Sequence, residues 1–291
     1  MRGTIVKGIA GFYYVKEDET GRVVQCRARG LFRKEKITPY AGDTVSFEQE
    51  EEQDGVITEI AARKNVFTRP PIANVDCFCI VCAAAKPAPN VTVLDQFLLM
   101  AEKEQVEILL CFNKIDSAKE ETVARMREIY QGLYPLFFVS GKTGEGIEKL
   151  RQALAGKQTA LAGPSGVGKS TLLNAILGNQ LMETGQISRK TGRGRHTTRH
   201  AELFSLPQGR GSVFDTPGFT SFDILEAQED QLALLFPEMA AYVGQCRYDD
   251  CRHKKEPGCA VREALDQGRI HESRYQSYLY FLETVQQRKR Y

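Results

Sequence analysis

Eight residues, Gly163-Pro164-Ser165-Gly166-Val167-Gly168-Lys169-Ser170, constrain the fold of this 291-residue chain more than any other feature. They follow a short apolar strand pattern, Thr159 to Ala162, and open a helical stretch, Ser170 to Leu177. The glycines let the backbone curl until successive amides aim at phosphate oxygens, and the helix N-terminus adds a favourable potential. In such a loop Lys169 reaches the β- and γ-phosphates of a nucleoside triphosphate, and the Ser170 hydroxyl sits on Mg²⁺. A strand–loop–helix of this kind belongs to an α/β sheet with its ligand loops at the carboxyl edge. The neighbouring pattern agrees. Val106 to Phe112, apolar but for Glu107, and Leu136 to Val139 are apolar runs, as in strands covered on both faces, and Val213-Phe214 adds another. Lys119 to Tyr130 has the charge and spacing of an exposed helix.

The phosphate loop alone does not choose a base. Asn113-Lys114-Ile115-Asp116 closes the run Val106 to Phe112, and a carboxylate there accepts two hydrogen bonds from the guanine N1–H and 2-amino group. Adenine has no donors in that arrangement, so Asp116 selects against ATP. Lys114 lays its stem along the base, and Asn113 ties this loop to the phosphate loop. A four-residue match is weak by itself; Ser140-Gly141-Lys142, ending the next strand, supplies the second base-contacting loop. Asp215-Thr216-Pro217-Gly218 ends the strand at Val213, where Asp215 holds Mg²⁺ through water and the Gly218 amide bonds the γ-phosphate. Upstream, Arg189, Lys190, Arg193, Arg195 and Arg199 form a run without an acidic residue, either a footprint for a phosphate backbone or a solvated loop. Within it lies His196-Thr197-Thr198, and one of these threonines, with Thr198 preferred, completes the Mg²⁺ shell.

Residues 1 to about 64 read as short strands (Thr4 to Val15, Val23 to Phe32, Asp43 to Glu48, Val56 to Ile60) separated by polar turns. So short an all-strand segment closes into a small barrel to protect its edges, and an OB-fold is the form it fits. A β-domain that merely packs on its neighbour is the other reading. After Ser221 an acidic, leucine-bearing stretch, Leu225 to Phe236, reads as helix, and Ile270, Tyr275, Tyr278, Leu279, Leu282 and Val285 recur at helical spacing near the end. Between them, Cys246, Cys251, His253 and Cys259 have the spacing C-x₄-C-x-H-x₅-C. Three thiolates and an imidazole suit a closed tetrahedral Zn²⁺ site with no position left for water, hence a structural ion. The other five cysteines lie in or beside apolar runs and behave as small hydrophobes. The boundaries expected are 1–65 for the barrel, 66–222 for the nucleotide-binding part and 223–291 for the helical, zinc-binding part. A net charge of +2 is too small to argue for nucleic acid by itself, and no signal-like or membrane-spanning apolar run occurs, so a cytoplasmic protein is expected.

The order of the parts is unusual. The base loops at 113–116 and 140–142 precede the phosphate loop at 163–170, as in a circular permutation that leaves each loop on its own strand end. This order, the Gly194-Arg195-His196-Thr197-Thr198 loop, the N-terminal barrel and the cysteine knuckle resemble the circularly permuted, ribosome small-subunit-dependent GTPase A (RsgA, also YjeQ or YloQ) family over nearly the whole chain. The resemblance implies a multidomain GTPase with GTP as substrate and Mg²⁺ and one Zn²⁺ as ions. It implies stimulation by the small (30S) ribosomal subunit, rRNA contact, and action late in that subunit's maturation near the decoding region. It extends the nucleotide-binding set through Thr171 and matches the family's zinc knuckle to Cys246, Cys251, His253 and Cys259. Phe219 stands where Ras-type enzymes carry a water-orienting glutamine, so another group must position the water. His196 is the catalytic candidate, its other reading being an RNA-contacting or structural loop residue. A monomer is expected. An RNA-binding assembly scaffold that holds GTP as a structural ligand is the alternative function, distinguished by the absence of stimulated turnover.

Overall fold

The computed structural model describes residues 1–30, 32, 37–49, 53–178, 201–207, 211–215 and 228–288. The chain divides into two compact units, one of Met1–Cys79, Ser140–Ala162 and Gly168–Thr220, the other of Ile80–Val139, Gly163–Val167 and Ser221–Tyr291. Thirteen strands among the described residues run β1 (Arg2–Ile9), β2 (Phe12–Glu17), β3 (Val23–Ala28), β4 (Thr44–Glu48), β5 (Gly55–Ile60), β6 (Val66–Thr68), β7 (Pro71–Ala73), β8 (Cys77–Ala83), β9 (Glu107–Asn113), β10 (Leu136–Phe138), β11 (Gln158–Ala162), β12 (Glu202–Ser205) and β13 (Ser212–Asp215). The helices are α1 (Val91–Lys103), α2 (Glu120–Tyr130), α3 (Ile147–Ala153), α4 (Lys169–Leu177), α5 (Pro237–Ala240), α6 (Ala260–Asp266) and α7 (Glu272–Arg288). Among the described residues no helix is long and apolar enough to cross a membrane.

In the first unit, period-two alternation builds the barrel. Ile5, Val15, Val24, Cys26, Val45, Phe47 and Ile57 turn inward and are buried together. The strands lie in the order β1-β2-β3-β5-β4, and β4 returns to pair with β1 at Arg2–Thr4, which closes the five-stranded barrel in the OB manner. The stretch Thr4 to Val15, expected as one strand, is two. Ala10 and Gly11 both take positive φ, 51° and 85°, and form the hairpin turn between β1 and β2. Glycine announces such a turn and alanine does not. β3 likewise stops at Ala28, short of Phe32, where its parallel pairing with β5 ends at Ala28↔Ile57 and the Phe32 N–H turns back to the Arg29 carbonyl. Beyond the barrel, β11 lies parallel to β13, and β13 lies antiparallel to β12. β12 in turn pairs antiparallel with β1. Helices α3 and α4 pack together, with the Arg151 guanidinium capping the last turn of α4 at the Ala175 and Ile176 carbonyls.

In the second unit β9 lies between β8 and β10, and its pairing with β10 is parallel. Every residue of β8 is buried, the outcome its unbroken apolar sequence requires. Helix α1 starts at an Asn90 cap, whose side chain accepts from the Val93 N–H, and buries Leu94, Phe97, Leu98 and Leu99. Helix α7 buries Tyr275, Tyr278, Phe281, Leu282 and Val285, close to the set read from spacing. Leu225 to Phe236 is not a continuous helix in its described part. A 3-10 turn spans Leu232–Leu235, and Phe236 is extended at φ −107°, ψ 103° because Pro237 follows and starts α5.

A buried charge cluster fastens these helices. Arg274 of α7 has no exposed side-chain surface and bonds Glu238 of α5 through Nε at 2.6 Å and Nη2 at 3.2 Å, while Nη1 bonds Asp95 of α1. Tyr130, closing α2, donates its hydroxyl to the same Asp95 oxygen at 2.8 Å. Burial opposes the charge on Arg274, but the two carboxylates outweigh it and hold the guanidinium protonated.

Candidate functional site

The base loop is held by side chains that the sequence assigned to it. Asn113 is buried at the end of β9 and donates through Nδ2 to the Val167 carbonyl of the phosphate loop at 3.0 Å. Lys114 takes a left-handed backbone, φ 68°, uncommon for a residue with a side chain. Its ammonium is tied at 2.6 Å to two carbonyls, Gly166 of the phosphate loop and Lys86 of the segment after β8. This double tether joins the loop after β9 to the phosphate loop and to the segment after β8. Asp116 sits in the short 3-10 turn Ile115–Ser117 with an exposed carboxylate, one oxygen of which accepts from Ser117 Oγ at 2.9 Å.

The phosphate loop runs from β11 to α4, which begins at Lys169 after the left-handed Gly168. Gly163 shows why its position excludes a side chain: at φ 139°, a Cβ would stand 2.1 Å from the Val81 carbonyl oxygen of β8. Pro164, Ser165 and Gly166 continue the loop, and Ser165 and Gly166 are exposed. Burial lowers the Lys169 ammonium below its ordinary pKa of 10.5, because desolvation disfavours the charged form. Ser170 and Thr171 form the exposed start of α4. Gly141 lies against that helix, its Cα so near that a Cβ would meet Leu172 at 3.1 Å and Thr171 at 3.3 Å. Ser140 is buried, accepts through Oγ from the Thr143 N–H, and shapes the turn that carries Lys142. Just before it, the Val139 carbonyl receives the Ile115 N–H, which ties the ends of β9 and β10 together. Asp215 ends β13. His196, Thr197, Thr198, Gly218 and Phe219 lie outside the described residues.

The carbonyls of Val81 and Lys86 contribute to this site, and neither was foreseeable. Any residue supplies a carbonyl, so no side-chain type marks such a position in a sequence.

The knuckle brings together all four residues assigned to it. The Nδ1 of His253 stands 3.5, 3.6 and 3.4 Å from the sulfurs of Cys246, Cys251 and Cys259, and Cys246 and Cys259 sulfurs are 3.9 Å apart. All four ligand atoms lie within 4.8 Å of one another. Tetrahedral bonds of usual Zn–S and Zn–N length separate ligands by about 3.6 to 3.8 Å, so the donor set fits that ion. Burial lowers the His253 pKa below 6.5 and keeps the imidazole neutral, the form that ligates. Tyr275 and Tyr278 of α7, read from sequence only as core positions, donate their hydroxyls to the His253 and Arg252 carbonyls at 2.7 and 2.9 Å. Glu256 accepts from the backbone N–H groups of Arg252, Lys254 and Lys255 and closes the ligand loop from below.

Comparison with known proteins agrees with these features. The RsgA GTPase family matches residues 60–225, and the RsgA N-terminal domain matches residues 2–57. The chain is 42% identical to the small ribosomal subunit biogenesis GTPase RsgA of Agathobacter rectalis and 44% identical to that of Clostridium kluyveri, each over the full length of both chains. Among solved structures it is similar to YjeQ from Thermotoga maritima, with TM-score 0.84, 38% identity and 98% of each chain covered. It is also similar to YloQ, described as a circularly permuted GTPase, with TM-score 0.81, 32% identity, and 99% and 95% of the two chains covered.

Proposed function

The chain belongs to the RsgA GTPase family, and from that premise we propose that it hydrolyses GTP on the small ribosomal subunit late in that particle's maturation. The observation that carries the nucleotide reading is the pair of tethers from Asn113 and Lys114 to Val167 and Gly166, which link a guanine-reading loop to a triphosphate-binding one. Asp116 reads the guanine edge, and Ser140, Gly141 and Lys142 border the base. Gly163 to Ser170 and Thr171 surround the phosphates, with the Gly218 amide on the γ-phosphate. Ser170, Thr198 and Asp215 are the groups suited to Mg²⁺, an ion that draws charge from the transferring phosphoryl oxygens. His196 orients the attacking water in place of the glutamine absent at Phe219. The knuckle holds one structural Zn²⁺ and supplies folding energy to a loop too short for its own core. The division into 1–65, 66–222 and 223–291 then assigns RNA contact to the two flanking parts and chemistry to the middle. We further read the protein as a cytoplasmic monomer that contacts rRNA.

The test is GTP turnover with and without purified small subunits across a salt series, with ATP as the competing nucleotide. The reading requires stimulation by the subunits that weakens with salt. Turnover indifferent to the subunits identifies a scaffold instead. His196→Ala is expected to abolish the stimulated rate while nucleotide affinity stays intact; an unchanged stimulated rate removes His196 from the chemistry.

A further inference from the structure

The first strand of the barrel is joined edge to edge to the strands that carry the Mg²⁺-side carboxylate. Lys7 of β1 stands opposite Glu202 of β12, and Glu202 stands opposite Asp215 of β13, so the three form one row across three strands. Directly opposed residues share a face of the sheet, about 5 Å apart at Cβ. Lys7 Nζ meets Glu202 Oε2 at 2.8 Å, with the two side chains 26% and 29% exposed, enough shielding for the pair to matter. The row reads cation, anion, anion. Without Lys7 it would leave two carboxylates facing each other.

Lys7 is in this row because β1 is irregular. Strict alternation would turn it inward beside Ile5, which faces the barrel core. A bulge between Ile5 and Lys7 shifts the register, so that Ile5 pairs with Val15 while Lys7 pairs with Tyr14. The extra residue turns Lys7 out of the barrel and towards β12. Two further contacts fix the same strands. Lys16 of β2 donates to Ser205 Oγ of β12 at 2.7 Å. Gly42, at φ 93°, is pressed so closely on the unit's sheet that a Cβ would stand 2.1 Å from the Ala73 carbonyl and 2.7 Å from the ring of Phe214, the residue before Asp215. A displacement of β1 is therefore passed to β12 and to the strand end at Asp215.

We propose that Lys7 and Glu202 are positioning residues that couple occupancy of the barrel by RNA to the placement of Asp215. The inference rests on the ribosome-dependent GTPase reading above and specifies its regulation. Lys7 lies in β1 and Glu202 in β12, outside the loops assigned to nucleotide. Their effect on turnover appears in the difference between subunit-bound and free protein; any effect on binding appears as a difference in subunit affinity between nucleotide states.

The experiment compares wild type with Lys7→Glu, Glu202→Lys, the double reversal and the isosteric Glu202→Gln. Each is assayed for turnover with and without small subunits, for affinity towards a fluorescent GDP, and for subunit affinity in the GDP and GTP-analogue forms. Each single variant is expected to lose stimulated turnover by about fivefold or more, the low end of typical coupling between sites. Unstimulated turnover and GDP affinity should stay within about twofold, and the two nucleotide forms should differ less in subunit affinity. The double reversal should recover the stimulation. Glu202→Gln preserves shape, so its loss cannot be assigned to misfolding. Full stimulation in Glu202→Gln and both reversals overturns the coupling, as does a double reversal that binds GDP normally and recovers nothing. Wild type that shows no stimulation overturns the functional reading itself, which separates the two failures.

Discussion

Arg274→Met removes the centre of the buried charge cluster, and the structure sets the size of the loss. The guanidinium makes three hydrogen bonds to two carboxylates, and its carbon lies 4.7 Å from the Phe236 ring centroid and 5.6 Å from that of Tyr130. Methionine approximates the stem and deletes the charge, leaving Asp95 and Glu238 without their cation where water hardly reaches. Stranding buried charge in this way costs about 3 to 5 kcal/mol. With a urea dependence of about 2 kcal/mol per molar, the midpoint falls by about 2 M. The chain has 11 tyrosines and no tryptophan, so far-ultraviolet circular dichroism and tyrosine emission follow the transition, and hydrogen exchange of α1 and α7 assigns it. Burial already holds the Asp95 carboxyl above its ordinary 3.8. A raised folded-state pKa means the native state binds the proton more tightly than the unfolded chain, so this contribution weakens as pH rises. Loss of Arg274 raises the carboxyl further. The deficit of the variant is therefore smallest in acid and grows towards neutrality. Adding Asp95→Asn and Glu238→Gln should restore most of the stability, because the stranded charges are gone. A cooperative transition in Arg274→Met within about 0.5 M of wild type would refute the argument, since so small a shift corresponds to about 1 kcal/mol.

Gly163→Ala should abolish nucleotide binding, measured by titration with a fluorescent GDP, because the added methyl overlaps the Val81 carbonyl oxygen. Asp116→Asn exchanges an acceptor for a donor at the base edge and should favour xanthosine triphosphate over GTP in competition assays, by about tenfold or more. Metal analysis should find one zinc per chain, and Cys251→Ser or chelation should lower the thermal stability of the C-terminal region while GDP affinity is kept. Burial pushes the Glu256 carboxyl up, yet the backbone N–H groups of Arg252, Lys254 and Lys255 outweigh it and hold it below 4.5. A depressed pKa stabilises above the unfolded value and is lost as pH falls through the folded one, so the advantage of wild type over Glu256→Gln should vanish on acidification below about 4.5.

What the sequence disclosed follows the kind of group involved. Candidate loops defined by side chains stood out because few residue types suit such work: Asn113 and Lys114 reach the Val167 and Gly166 carbonyls, and Cys246, Cys251, His253 and Cys259 lie together. β9 and β10 were visible as apolar runs, Val106 to Phe112 but for Glu107 and Leu136 to Val139, and the barrel interior as alternation. Contacts made by backbone were silent, as at Lys86 and Val81, whose carbonyls would be the same under any side chain. The turn at Ala10 was hidden because alanine gives no sign of a left-handed φ. The Arg274 cluster was hidden for another reason: its members are separated by up to 179 positions, and each alone looks like an ordinary surface charge on an amphipathic helix.

The partners Lys7 and Glu202 are 195 residues apart, so β1 exists as a strand long before β12 does. At about 5 to 20 residues per second, the nascent barrel waits roughly 10 to 40 s with that edge of β1 unpaired. An open strand edge invites another chain to add to it, and charged lysines along the edge are a common deterrent. Lys7 therefore serves the growing polypeptide before it serves the finished one, first repelling foreign strands and later receiving its own.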